Sequence, residues 1–236
     1  MIISAAAPLS VAIANAVESR LDCRVKQAWG MSEISPLGII EYDDNLRLGS
    51  VGQLAPSTLG KIVDPATKKS LGPHEEGELV IKGPQVMMGY LDDPDRTQEC
   101  LGENGWLNTG DMAKYDQDGF FYITDRIKEL IKVRGFQVPP AELEALLFTH
   151  PEIGDAAVIA IDDERSGELP RAYVTLKDKE NSKLTETDLQ EWVEEKVAPY
   201  KRLEGGVEFI DAIPKSASGK ILRRVLKERY KEEQHL

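Results

Sequence analysis

The spacing of apolar positions changes several times along this chain, and the changes divide it. Ile2 and Ile3 open a short apolar run, and Val11, Ile13, Ala14, Val17 and Leu21 then recur as one face of a helix does. Residues 23–29 form a second extended run that ends at Gly30. Strand, helix and strand in that order predict the tail of an α/β layer. Between residues 46 and 122 the texture shifts to short β-rich runs, such as 50–54 and 77–82, set between turns at Pro65, Pro73 and Gly83-Pro84. Many short strands at close spacing predict a small antiparallel barrel or sandwich. Residues 85–90 read as a loop, and Pro94 to Thr97 as the entry to a short helix.

After Pro139 the pattern predicts helix, strand, strand, helix, strand, helix. Leu143, Leu146 and Leu147 make one helical stripe, and residues 157–161 and 172–176 read as strands. Leu189, Trp192, Val193 and Val197 make a second stripe behind Thr185-x-x-Asp188, a capping box. Residues 207–210 are the last strand, and Ile221, Leu222, Val225, Leu226 and Tyr230 line the last helix. The expected fold is therefore α/β and α+β: the end of an α/β layer with a β-barrel-like subdomain, then a compact α+β domain.

Composition narrows the partners. The 236 residues carry a formal net charge of −12, with 41% hydrophobic and 30% charged positions, as in an ordinary globular protein. Such a balance disfavours nucleic acid and anionic membrane as partners, so any anion must be held by a local basic cluster. Cys23 and Cys100 are far apart, as are His74, His150 and His235, which gives neither a zinc pattern nor a disulfide framework and makes a reducing compartment the default. No run of eighteen apolar residues predicts a membrane span. The first residues lack the basic start of a signal peptide. A cytoplasmic protein is the expectation, with a peroxisomal alternative because Gln234-His235-Leu236 shares its last residue with the Ser-Lys-Leu address.

Four segments carry candidate chemistry. Residues 125–142 place Arg126, Lys128, Lys132 and Arg134 around Gly135, which suits close approach of an anion and equally suits a solvated basic ribbon. Trp29-Gly30-Met31-Ser32-Glu33 follows a predicted strand. A hydroxyl beside a carboxylate can share Mg²⁺ with phosphate, though a capped turn explains the pentad as well. Gly105 to Asp111 ends in Thr-Gly-Asp, whose carboxylate could accept ribose hydroxyls or simply close a surface turn. Pro214 to Arg224 puts Lys220 at the tip of a Ser/Gly loop, ahead of what could be a basic solvated helix.

Taken together, Asp125-Arg-Ile-Lys-Glu-Leu-Ile-Lys-Val-Arg-Gly-Phe-Gln-Val-Pro-Pro-Ala-Glu142 resembles the junction of the large and small domains of adenylate-forming enzymes. The likeness is to the branch of 4-coumarate–CoA ligase, acyl-CoA ligases and firefly luciferase. Gln27-Ala-Trp-Gly-Met-Ser-Glu33 resembles the family's Gln-Gly-Tyr-Gly-Met-Thr-Glu, Gly105 to Asp111 its Gly-Trp-Leu/Phe-x-Thr-Gly-Asp, and Pro214 to Arg224 its Pro-Lys-x-x-x-Gly-Lys-Ile-Leu-Arg-Arg. Ser4 to Leu9 is similar to a segment bordering adenine and the acyl pocket, with Ala5 in place of a glycine.

The resemblance implies ATP, Mg²⁺, coenzyme A and a small carboxylic acid as cofactors and substrates. It assigns Gln27, Trp29, Gly30, Ser32, Asp111, Arg126 and Lys132 to the nucleotide, with Trp29 stacking by adenine and Asp111 on the ribose. Glu33 would hold the metal, and Ala5, Ala6, Gly30 and Met31 would line the acyl pocket. Lys220 would be catalytic, neutralising charge as carboxylate attacks the α-phosphate. Asp125 would be the hinge about which the small domain swings. Lys128, Gly135 and Gln137 would then serve the thioester step with CoA. Residues 1–124 would be the end of the large AMP-binding domain and 125–236 the small C-terminal domain. The family's phosphate loop and most of its acyl pocket would precede Met1, implying a fragment or shortened product with residues 1–43 poorly stable alone. An adenylation unit of a peptide synthetase and a non-catalytic nucleotide-binding module are the competing readings; the order Gln137-Val-Pro-Pro-Ala-Glu142 favours the ligase branch.

Overall fold

A computed structural model describes residues 1–5, 9–102, 104–217 and 219–234. The chain forms two compact units, Met1–Ile127 and Lys128–Leu236. The division falls three residues after the boundary expected between 124 and 125.

In the first unit, β1 (Ile2–Ser4), β2 (Val25–Gly30), β3 (Leu37–Ile40) and β4 (Gln53–Leu54) form one sheet in that order. β1 lies parallel to β2, and α1 (Val11–Leu21) makes the crossover between them. Ser10 caps α1 by accepting the Ile13 N–H at 3.3 Å, and Asp22 ends it with φ +48°. The helical stripe is where the spacing places it, but only Ala14 is buried; Val11, Leu21, Ile2 and Ile3 are exposed.

β5 (Leu59–Val63), β6 (Gly77–Lys82), β7 (Leu107–Tyr115) and β8 (Phe121–Arg126) make a second sheet, an antiparallel meander in chain order. It stays open, with β5 and β8 at its edges, so the barrel-like expectation becomes an open sheet. The reason is the fate of residues 50–54. Gln53 and Leu54 pair with β3, a strand the turn-rich sequence conceals, while Val51 and Gly52 touch β8 at the single residue Phe121, too short a contact to close the sheet. Trp29, Ile34, Ile39, Leu79, Leu107 and Phe121 belong to the core of this unit. α2 (Pro94–Cys100) starts where the sequence places a short helix, and Asp93 caps it by accepting the Arg96 N–H.

The second unit has one sheet in the order β10 (Phe136–Val138), β9 (Ile131–Val133), β12 (Gly167–Leu176), β11 (Ile153–Asp163), with β13 (Val207–Phe209) parallel to β12. Alternate residues of β11 enter different cores. Ala156 and Val158 pack with Leu143 and Leu147 of α3 (Pro140–Leu147) and with Leu189 and Val193 of α4 (Glu186–Glu194). Ala157, Ile159 and Ile161 pack with Leu226 of α5 (Arg223–Gln234). A strand covered on both faces reads as an unbroken apolar run. Pro140 opens α3 at its first position, and the Thr185–Asp188 capping box is formed in both directions. α5 begins at Arg223, so Ile221 and Leu222 are not helical; Ile221 bridges Lys215 instead. No helix among the described residues is long and apolar enough to cross a membrane. His235 and Leu236 of the address-like ending lie outside the described residues.

Candidate functional site

In the first unit three of the four motif segments meet at one carboxylate. Asp111, 5% exposed, accepts the Trp29 indole N–H at 2.7 Å on one oxygen and faces Arg126 Nε at 3.3 Å on the other. Asp111 and Arg126 are partners across β7 and β8. Thr-Gly-Asp is not a surface turn. It is a bulge inside β7, where the residue pairs Glu78–Met112 and Val80–Asn108 leave two extra residues on the β7 side. The Thr109 hydroxyl donates to Leu79 O at 2.7 Å and accepts the Asp111 N–H at 3.1 Å. The bulge thereby aims a buried carboxylate that a regular strand would hold against its neighbours.

Trp29 itself is 8% exposed and packed in the core. Gly38 lies against its ring, where a Cβ would come within 2.8 Å of Cζ3. The indole therefore offers little open face for stacking; its contact with the site runs through Asp111. Gly30 is required by crowding, since a Cβ there would stand 1.9 Å from Pro36 O. It ends β2, after which Ser32–Ile34 makes one 3-10 turn with Ser32 exposed.

Glu33 in that turn accepts the Tyr90 hydroxyl at 2.6 Å, and its main-chain oxygen accepts Met87 N–H at 2.8 Å. Donation to the Glu33 carboxylate, helped by burial, pushes the Tyr90 phenol up to about 12. Sequence reasoning missed Tyr90, which lies 57 positions away with no periodic signal. Among the described residues no group of three His, Cys, Asp or Glu side chains could hold a metal by itself. One carboxylate with an adjacent hydroxyl does fit Mg²⁺ that is carried largely by phosphate oxygens.

Gln27 is buried beside the motif, and its N–H donates to Glu41 Oε2 at 2.7 Å. Glu41 also accepts Arg47 N–H at 2.9 Å, and Arg47 reaches Asp116 at 2.6 Å and Asp118 at 2.9 Å. Burial works against its charge, yet the Phe120 N–H and the Arg47 guanidinium hold the Asp116 carboxyl below the usual range. This chain of contacts fastens the β2 motif to the 41–52 loop and to the turn at Asp116 and Asp118, and was not legible in the sequence. Met31 is half-buried and Ala5 exposed, while Ala6 lies outside the described residues. An open cleft of about 840 Å³, lined by Met88, Gly89, Tyr90, Asp93, Thr97 and Leu101, contains none of the expected site residues. Its link to them is Tyr90.

Asp125, 7% exposed, is the penultimate residue of β8 and accepts the Arg126 N–H at 2.7 Å. Beyond it, in the second unit, Arg134 and Gly135 form the two-residue turn between β9 and β10, with φ +51° and +86°. Both angles are positive, as a type I′ hairpin turn requires, and among the described residues beyond its chain neighbours no atom lies within 4 Å of where a Gly135 Cβ would stand. Lys132 and Gln137 face each other across this hairpin, and both are exposed, as is Lys128. The basic ribbon is not uniformly available to an anion: Arg134 is committed to Ser166 Oγ at 3.1 Å and Glu204 at 2.7 Å.

Lys220 closes a tight loop on the second unit. Ser216 N–H donates to Lys220 O at 2.8 Å, and Lys220 N–H to Ser216 Oγ at 3.1 Å, leaving the Lys220 side chain exposed.

Comparison with known proteins supplies the context for these features. Residues 1–91 match the family described as AMP-binding enzyme, and residues 142–220 match the AMP-binding enzyme C-terminal domain. The chain is 46% identical over 227 residues to a probable 4-coumarate–CoA ligase 1 of Dictyostelium discoideum, covering 95% of this chain and 41% of that protein. It is 43% identical to luciferin 4-monooxygenase of Nipponoluciola cruciata, covering 96% and 41%. Among solved structures, the anthranilate CoA ligase AuaEII in complex with anthranoyl-AMP superposes with a TM-score of 0.88 at 28% identity, covering 99% of this chain and 44% of that one. The chain thus spans about two-fifths of the length of the curated relatives it matches.

Proposed function

This chain belongs to the AMP-binding enzymes, and from that premise we propose that it serves an ATP-dependent acyl- or aryl-CoA ligase. A carboxylate is activated as its acyl-adenylate with release of pyrophosphate, and the acyl group then passes to the CoA thiol. The observation that carries the reading is the Trp29–Asp111–Arg126 cluster, because it joins separate motifs at one buried carboxylate beside an exposed cation. Asp111 accepts the ribose hydroxyls, Arg126 faces the ribose and phosphate, and Trp29 steadies Asp111. Gln27, Gly30 and Ser32 shape the nucleotide side of the β2 turn, and Met31 with the Ala5 and Ala6 segment borders the acyl group. Glu33, held by Tyr90, would keep Mg²⁺ on the phosphates, where the ion offsets their charge.

Lys220 supplies an ammonium between two anions that must approach each other, a point charge that needs no fork geometry. Attack of the carboxylate oxygen forms the bond to the α-phosphorus as the pyrophosphate oxygen leaves. For the second step Asp125 acts as the hinge, and residues 128–137 serve the thiol: Gly135 gives an open backbone, with Lys128, Lys132 and Gln137 around it. Residues 1–124 and 125–236 are then portions of the large and small domains.

Carboxylate-dependent ATP–pyrophosphate exchange tests the assignment. In a full-length context Lys220→Ala is expected to lower exchange at least about a hundredfold while thioester formation from supplied acyl-adenylate continues. Exchange that survives the substitution would remove Lys220 from its role. Nucleotide binding without exchange against any carboxylate would favour a binding module.

A further inference from the structure

The loop that carries Lys220 is fastened at both ends to the same strand. Residues 214–217 and 219–222 make the two legs of a small hairpin closed by Leu222 N–H to Pro214 O at 2.8 Å, Gly219 N–H to Ser216 O at 2.9 Å, and the Lys215–Ile221 bridge. On its first leg, Lys215 Nζ meets Asp155 Oδ2 of β11 at 2.5 Å. On its second, Arg223 donates through Nε to Val158 O of β11 at 3.1 Å and through Nη2 to Glu144 Oε1 of α3 at 2.7 Å. The same Glu144 oxygen accepts the Val158 N–H at 2.8 Å. Arg223 and Glu144 thus hold both the N–H and the C=O of one residue on β11, the end strand of the sheet. Arg223 Nε also lies 3.8 Å from Glu129, the second residue of the second unit.

The choice of residues at this point is informative. The Arg223 and Glu144 side chains are only 16% and 10% exposed, and a pair withdrawn from water to that degree is a poor source of stability compared with apolar packing. Leu226 already anchors α5 to the sheet in that apolar way. What a planar guanidinium adds is a fixed direction: two donors in a rigid fork, aimed at two acceptors that belong to different elements. The residue it fixes is three positions after Lys220, too few for the chain to wander. Lys215 does the same for the other leg five positions before it.

We infer that Arg223 and Lys215 are positioning residues: with Glu144 and Asp155 they form a two-point clasp that sets the Lys220 ammonium for the adenylation step. The inference rests on Lys220 being the catalytic lysine. The clasp confines loop geometry, so its loss should lower the rate of the charged step and leave nucleotide affinity alone.

Two measurements, made on the chain in a full-length context, separate this inference from that reading. Hydrogen exchange by mass spectrometry follows residues 214–222 against β11 and β12, and ATP–pyrophosphate exchange follows adenylation. Arg223→Lys, which keeps the charge and loses the fork, and Glu144→Gln, which keeps an acceptor for Val158, should speed exchange of 214–222 at least about tenfold. Amides of β11 and β12 should stay protected. Lys215→Met on the exposed leg provides a variant that keeps the buried pair intact and should do the same to a smaller extent. In each, kcat for adenylation should fall about 10- to 100-fold with KM for ATP within about twofold. Loop exchange at the parent rate in all three would overturn the clasp. So would a loss carried by KM with kcat preserved. A parent enzyme that shows no pyrophosphate exchange even in a full-length context would instead sink the ligase reading, and loop exchange would still decide the clasp.

Discussion

At the scale of single residues, the contacts that matter most join positions far apart in sequence. Trp29 and Asp111 are 82 positions apart, yet the indole N–H donates a hydrogen bond to one carboxylate oxygen. Trp29→Phe keeps the ring and removes that donor from a buried anion, which should cost about 1–3 kcal/mol. We expect a lower urea midpoint for the first unit and weaker ATP binding, measured by titration; an unchanged midpoint would show that Asp111 does not depend on the indole. Both residues were legible as site candidates because each sits in a compact motif. Their bond was not, and neither was the pairing of Tyr90 with Glu33, because a sequence has no measure of which turn folds over which.

Among the elements, the junction of α3, β11 and α4 carries a titratable pivot. His150 is buried in the turn after α3, its Nδ1 accepts the Glu152 N–H at 3.3 Å, and its ring meets Trp192 of α4 edge-on at 4.9 Å. Burial pushes the imidazole below its ordinary value; Glu152 opposes that, while Lys177 and Lys196 add to it. The folded chain therefore binds a proton here less readily than the unfolded chain does. Stability from His150 is complete above the ordinary histidine pKa of about 6.5 and is lost as pH falls through the lowered folded value. Urea midpoints read by Trp192 fluorescence should decline from pH 7 towards 5, by at most about 1.4 kcal/mol per pH unit for this single proton. His150→Asn should flatten that slope; an equal slope in the variant would assign it to other groups. Element order in this half was readable because helical stripes and a doubly buried apolar strand have distinct periods. The start of α5 was read too early, since the apolar Ile221 and Leu222 continue the stripe although they belong to the Lys220 hairpin.

For the molecule as a whole, each unit has cores of its own. The second packs apolar side chains on both faces of its sheet, while the first leaves Ile3, Val11, Leu21, Met88 and Leu91 exposed. Residues 128–236 produced alone should fold and unfold cooperatively, and the full chain should unfold in two steps with β1 and α1 exchanging their amides first. A single transition shared by the full chain, with no folded 128–236 fragment, would refute independence. The sequence by itself determined the chemistry on offer and most of the elements, because motif spacing, capping residues and apolar period are local properties of the chain. Only the tertiary structure decided that β4 joins β3 and leaves the meander open, that Thr-Gly-Asp is a bulge aimed inward, and that Arg223 and Glu144 hold the Lys220 loop. Those outcomes depend on which distant edges and charges meet. That choice is made by packing and by the need to satisfy every buried polar group, neither of which a linear pattern records.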